Sequence, residues 1–455
     1  MQRFKDILSQ FYGLFLIFSF TLFAAPTPPA ETPSNVSLEE ILKATSENNG
    51  MIQESLQDVE VARAQLEQAK AALYPKATLM VLAAPIFEET GDALQSKSNW
   101  SKWGPLLTGG VQIVQPLYTF GMISSYRRAA EGQIEAKTGI ASSKKNDVIM
   151  QAKEMYFGYQ MATDLEKLVD DLSSFLAEAV KTAEETAASK KKKSTVKPHD
   201  IFRLKTALND LEQKKLYAKA AKQTAERAVA WLSGLKFANL EVPKLKPMPF
   251  EKLPMEDYLK MAKATRPEFK ALVAGQQARL ALRDAKQAQS YPILFVGAFG
   301  QAGWSPVRTK QQSVFANDPF NPLAGGVGVG LKFDLEFMRH SAEAQEQNAE
   351  AMKLKAMESW AAPGIELQVK KAYWELEQAL DGFKIADARR ATSKKWFVQS
   401  GMGWSIGITA AKDLLEALEG DGLSRKNYIE TVYAVNMSIA KLSQAVGKEL
   451  GGLKY

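Results

Sequence analysis

Asp413 and Glu416 are three residues apart at the start of an apolar-periodic run, so on a helix they share one face. Acidic residues in a first turn complement the helix dipole whatever they face. The chain holds no Cys, which excludes disulfides, thiolate metal sites and cysteine catalysis. It has two His, His199 and His340, too few for a histidine-rich metal centre. His199 sits beside Asp200 after a turn, a place for a solvated or capping side chain. The run Gly325-Gly326-Val327-Gly328-Val329-Gly330 lacks the G-x-G-x-x-G spacing and continues as strand, so it does not read as a phosphate loop. No Walker motif, H-E-x-x-H or G-x-S-x-G is present. No catalytic, cofactor-binding or metal-ligating residue is assigned, and the chain does not read as an enzyme.

The 455 residues are 46% hydrophobic and 24% charged, the composition of an ordered protein. The net charge of +7, from 58 basic and 51 acidic residues, is mild at this length and gives no argument for nucleic-acid binding. Arg3 and Lys5 precede an apolar run, Phe11 to Phe23, then Ala24, Ala25 and a Pro-rich stretch. This is the layout of a secretory signal over residues 1–25, with a Pro-rich segment over 26–36; an uncleaved anchor is the other reading. No later segment has 18 consecutive apolar residues, so no ordinary transmembrane helix is expected.

The chain reads as one unit written twice. Tyr74-Pro75 recurs as Tyr291-Pro292, 217 positions later, and seven of the 39 positions from Ser37 to Pro75 are identical at that offset. Each half runs helix, strand, polar loop, strand, long helix, break, long helix. The repeats span 37–234 and 254–450, joined by a linker over 235–253 that is rich in Pro, and a short tail follows at 451–455. In the first helix Leu38, Thr45, Ile52, Val59, Leu66 and Leu73 recur every seven residues, the period of a left-handed supercoil. Helical character from Met122 to Ala188 implies about 100 Å of helix, with a partner from Asp200 to Gly234. A single globular core has no use for such a helix; a coiled-coil wall or tube does.

Four strands are expected: Ala77–Phe87, Gly110–Leu117, Pro292–Gln301 and Val327–Phe337. The last alternates an apolar face with a small or charged one, as a membrane stave does. Trp100, Trp103 and Trp304 lie in or beside the intervening loops, where interfacial aromatics belong. Four staves leave two open edges, and the smallest membrane barrels need about eight strands. If these strands span a membrane, several chains must share one barrel.

Signal, doubled unit, strand pairs and long hairpins together resemble the TolC family of outer-membrane efflux and secretion channels. Tyr74-Pro75 and Tyr291-Pro292 stand at helix-to-strand joints, and the segment Gln115-Pro116-Leu117-Tyr118-Thr119-Phe120-Gly121 is similar to the family's strand-to-helix junction. Residues 404–417 resemble the family's turn, an aromatic-x-x-Gly followed by Asp-x-Leu-Asp/Glu-Ala. The resemblance implies a mixed fold, a membrane β-barrel plus an all-α coiled-coil tube, internally duplicated. Four strands per chain would enter a shared trimeric 12-strand barrel, with long periplasmic helical hairpins below it. It implies a homotrimer in outer-membrane lipid, a periplasmic adaptor, an inner-membrane transporter and a passive export duct without cofactors. A periplasmic coiled-coil adaptor or scaffold is the alternative. The resemblance also implies that Asp413 and Glu416 form stacked acidic rings at a periplasmic gate narrowed by Trp404. Adaptor contacts would fall on the tips, at Lys190, Lys191, Lys192 and Lys193 and at Gly407 and Thr409. Thr409 and Lys412 depart from the family pattern, which places a basic residue and an apolar residue there.

Overall fold

The computed structural model describes residues 36–92, 95–188, 197–236, 240, 242–311, 313, 315 and 317–452. The expected signal, nearly all of the Pro-rich segment, the Lys190–Lys193 tip and residues 453–455 of the tail lie outside the described residues. The first repeat contains α1 (Leu38–Asn48), α2 (Gly50–Ala71), β1 (Lys76–Gly91), β2 (Ser96–Tyr118), α3 (Met122–Ala188) and α4 (Pro198–Ser233). The second contains α5 (Met255–Thr265), α6 (Pro267–Ala288), β3 (Ile293–Trp304), β4 (Leu323–Lys332), α7 (Phe337–Ser405) and α8 (Ala411–Val446). The 217-residue offset carries α1 onto α5 and α2 onto α6 residue for residue.

The first heptad run is two helices rather than one. Asn49 leaves the helix with φ −69° and ψ 124°, its side chain accepting from the Met51 amide at 3.0 Å. Its Nδ2 donates to the Leu232 carbonyl at 3.0 Å, so the break docks the end of α4. Pro267 makes the same break in the second repeat by disfavouring helix at Arg266. Arg266 Nη1 then caps α8 through the carbonyls of Gln444 and Ala445. Leu38, Thr45, Ile52 and Val59 are buried as the heptad requires, but Leu66 is only partly covered and Leu73 is exposed. Pro363 lies inside the 69-residue α7. Its lost hydrogen bond is offset by the packing of Val369, Tyr373 and Leu376 just beyond it.

The four strands form one antiparallel sheet in the order β1-β2-β3-β4, and β2 with β3 joins the repeats. β2 begins at Ser96 rather than Gly110, because the residues before Gly110 carry no clean apolar alternation. β4 ends at Lys332, short of Phe337, where Asp334 Oδ1 takes the Glu336 amide before α7 begins. The register sorts the faces. Leu79 and Val81 lie level with Val111 and Gly109, and Val296 and Ala298 lie level with Val329 and Val327. This face is apolar and open, with Val327 80% and Val329 70% exposed in the single chain. The opposite face carries Lys76, Thr78, Thr108, Gln112, Gln301 and Lys332. On that face the glycines of β4 serve as floor for rings: a Cβ on Gly330 would stand 2.7 Å from Phe295, and one on Gly326 would stand 3.0 Å from Phe299.

The core lies where the short helices meet the long ones. Ile41 and Leu42 pack with Ile149, Tyr156 and Phe157, and Tyr258 packs with Val369, Leu376 and Ile439. The linker is stitched onto this core. The Tyr159 hydroxyl donates to the Leu240 carbonyl at 2.5 Å, and the Leu245 amide donates to Asp164 Oδ2 at 3.2 Å. Asn436 exchanges two bonds with it, accepting from the Met248 amide and donating to the Lys246 carbonyl.

Burial pushes the Asp164 carboxyl up, against the lowering effect of the Leu245 amide and of Lys244 and Lys167. The native state therefore holds this proton more tightly than the unfolded chain. The resulting stability is fully present below the ordinary Asp value of about 4 and is lost as pH rises through the raised one. Asp164→Asn, uncharged throughout, should gain on the native chain as pH rises above that range. Unfolding midpoints measured across pH check this, and a pH-independent difference would contradict it.

Candidate functional site

The second tip is a helix ending of defined chemistry. The Gly407 amide donates to the Trp404 carbonyl at 3.0 Å, and the Ile408 amide donates to the Gly403 carbonyl at 2.8 Å. Gly407 has φ +76°, which an L side chain resists. This is the paired-bond glycine stop of a helix C-terminus, so the aromatic-x-x-Gly signature has a backbone cause. Thr409 sits against Gly403: a Cβ there would meet Thr409 Oγ1 at 2.1 Å. Its hydroxyl replaces the basic side chain that the family pattern would place here.

α8 starts after Ala410, which supplies no side-chain cap. Asp413 stands exposed in the first turn, where it complements the helix dipole. Glu416 is exposed too, with Lys412 Nζ 3.6 Å away. The two carboxylates share the start of α8, but Lys412 offsets part of their charge. Trp404 is half-buried against the cluster of Leu168, Leu172, Leu176, Leu204 and Leu414, the last of which follows Asp413 in the chain. Its Nε1 is buried without a hydrogen-bond partner.

The hairpins are fastened differently within and between themselves. Within the first, Lys222 pairs with Glu166 at 2.7 Å, Lys215 with Asp170 at 2.8 Å and Lys205 with Glu184 at 2.6 Å. Between the hairpins, Arg425 of α8 reaches Asp171 of α3 at 2.7 Å. Arg425 also lies 4.0 Å from Asp421, a buried carboxyl whose pKa is pushed up by that burial and drawn back by Arg425. Sequence reading missed Arg425 and Asp171, because 254 positions separate them and neither has a local signature. Among the described residues no group of three or more His, Asp or Glu is placed to hold a metal. His199 is exposed beside Asp200, and His340 is buried 3.5 Å from Asp334 at the start of α7.

A sheet with an apolar outer face, two open edges and helical hairpins of this length is the fold of outer-membrane efflux channels. The Campylobacter jejuni CmeC outer membrane channel superposes with TM-score 0.71 at 15% identity, over 92% of this chain and 86% of that one. The outer membrane protein VceC from Vibrio cholerae gives 0.72 at 13% identity, over 91% and 96%. The open state of the Neisseria gonorrhoeae MtrE channel gives 0.69 at 17%, over 91% and 89%. Residues 258–448 match the family model described as outer membrane efflux protein. The resemblance found in the sequence is thereby borne out, in fold along the chain and in family over its second repeat. No curated protein sequence matches the chain.

Asp171 of this pair is exposed, whereas Arg425 is half-buried and also faces the buried Asp421 carboxyl. Asp171→Ala removes the ion pair between the hairpins and leaves Arg425 with Asp421, so it should cost less than about 1 kcal/mol of stability. It should still raise the conductance of an assembled channel, because it loosens one hairpin from the other. Unfolding curves and bilayer recordings on the same preparation test both halves; unchanged conductance would remove this pair from the gate.

Proposed function

We propose that three copies of this chain form a passive duct through the outer membrane, continued across the periplasm by the helical tube. The observation that carries it is the sheet: one face apolar and exposed, the other partly polar, and both outer edges unpaired over most of their length. In hydrocarbon those edges must be closed by other copies, and three times four strands makes a barrel of ordinary size. Among the described residues no helix is long and apolar enough to cross a membrane. An adaptor or scaffold would have no use for an apolar stave face. The duct performs no chemistry and needs no cofactor. A transporter in the inner membrane, joined by a periplasmic adaptor, would drive cargo through it.

In this reading the hairpin ends face the adaptor, through Gly407 and Thr409 and through Lys190–Lys193, which lie outside the described residues. Asp413 and Glu416, repeated threefold, ring the narrow end, and Trp404 stiffens the tip behind them by packing. Acidic rings favour cations and can be bridged by multivalent ones.

Cross-linking in detergent should stop at three chains, and a folded monomeric barrel would sink the reading. Currents in planar bilayers should be cation-selective. Asp413→Ala with Glu416→Ala should lower that selectivity and abolish block by trivalent cations. Retention of both in a correctly assembled double variant would leave these carboxylates as helix-end charges. Replacing Lys190–Lys193 by Glu should weaken adaptor binding most at low salt.

A further inference from the structure

The connection from β3 to β4 does not turn straight back. After Trp304 the chain crosses β2 and runs to the far edge of β1, the edge that β2 leaves free. Val307 lies directly on Gly104: a Cβ built there would stand 2.3 Å from Val307 Cγ1 and 3.3 Å from its Cβ. Gly104 belongs to the face that carries Thr108 and Gln112, so the crossing is made on the polar face. Leu106 on that face is buried beneath it, whereas Leu107 on the other face is 50% exposed.

At the edge of β1 the segment pairs as a short parallel strand. The Glu89 amide donates to the Val307 carbonyl at 3.0 Å, and the Thr309 amide donates to the Glu89 carbonyl at 3.4 Å. Gln311 Nε2 continues onto the Gly91 carbonyl at 3.2 Å. Arg308 is the clasp. It is ion-paired to Glu89, and its guanidinium lies 4.1 Å from the ring of Phe320 and 4.9 Å from that of Phe87. Its side chain is only 8% exposed. The return limb is fixed as well: Asp318 accepts the amides of Gln311, Phe320 and Asn321, and Asn321 Oδ1 accepts the Ser305 amide at 3.0 Å.

We propose that this connection is a permanent strap across the outer mouth of the duct, clasped by Arg308, and that three straps rather than the barrel wall set the largest solute that can pass. The proposal rests on the duct reading, which makes the polar face the lumen. A desolvated cation held by a carboxylate and two rings is not an element that opens with each passage. The strap also covers the outer end of the β1 edge, so pairing with a neighbouring copy is confined to the part of β1 below Glu89.

The chain has no Cys, so G104C with V307C introduces one defined pair, whose Cβ atoms at 3.3 Å are just closer than the about 3.5 Å lower end of ordinary disulfides. Native chain, R308A, the Cys pair and the pair combined with R308A would be recorded in planar bilayers, with polyethylene glycols of graded size added on the outer side. The pair should cross-link on oxidation without changing conductance or size cut-off. R308A should raise conductance and shift the cut-off to larger polymers, and oxidising the combined variant should restore the native cut-off. A cut-off that is the same in the combined variant whether oxidised or reduced overturns the strap and leaves the duct standing. So does a conductance drop on oxidising the pair alone, which would mean that the strap normally lifts. Folded trimer that carries no current overturns the duct and the strap with it.

Discussion

An antiparallel sheet with two open edges cannot stand in hydrocarbon. Each unpaired amide and carbonyl there costs several kcal/mol, and no water is present to take them. Four strands per chain cannot curl far enough to meet, so closure requires other copies of the same sheet. Much else follows from this. The apolar face must point to lipid, which puts the polar residues and the glycine-seated rings of Phe295 and Phe299 inward. The two strand pairs must lie side by side in one chain, which the β2–β3 pairing across the repeats achieves. The helices leaving the sheet must then continue as a closed wall, because a ring of strands feeds a ring of helices.

The long helices share an anchor. It lies in the middle of the chain, where α1, α5 and the linker pack against α3, α7 and α8. The linker contributes hydrogen bonds more than area: its backbone is held by Tyr159, Gln160, Asp164 and Asn436. A Pro-rich segment has few amides to offer and no helix or sheet to use them in. Side chains from two repeats supply the partners, and the linker thereby ties the repeats together.

Much of this was legible in the sequence because it is periodic or local. The Tyr-Pro recurrence gave the true offset, and Met122–Ala188 has the observed bounds of α3. The Trp404-to-Gly407 spacing marked a real helix stop. Where the reading fell short, the cause was a contact with something distant. Asn49 interrupts a heptad run because the end of α4 docks there. The first residues of β2 carry no alternation, since there Ser, Lys and Asn are mixed with Trp100 and Trp103, whose rings pack on Phe87 of β1. Pro363 stays inside a helix because a tertiary cluster outweighs its local preference. The clasp of Arg308 joins residues more than 200 positions apart, and nothing near Arg308 in the chain distinguishes it from a solvated loop arginine.

The two ends of the molecule are held by forces of different kinds, and the difference fits what each end must do. Near the hairpin tips the apolar packing between the hairpins is supplemented by an ion pair, Arg425 to Asp171, with side chains 34% and 62% exposed. Water and salt compete for such a pair at every moment, so it stabilises one arrangement by little more than thermal energy. In the proposed duct a docking partner that brings its own charges would replace it at small cost. At the outer mouth Arg308 is taken out of water, and breaking its contacts would strand its charge, although Glu89 is a third exposed. No partner is expected on that side to supply substitutes. In the proposed duct, a water-competed ion pair therefore sits where the tube would open, and a buried clasp sits where it would stay closed.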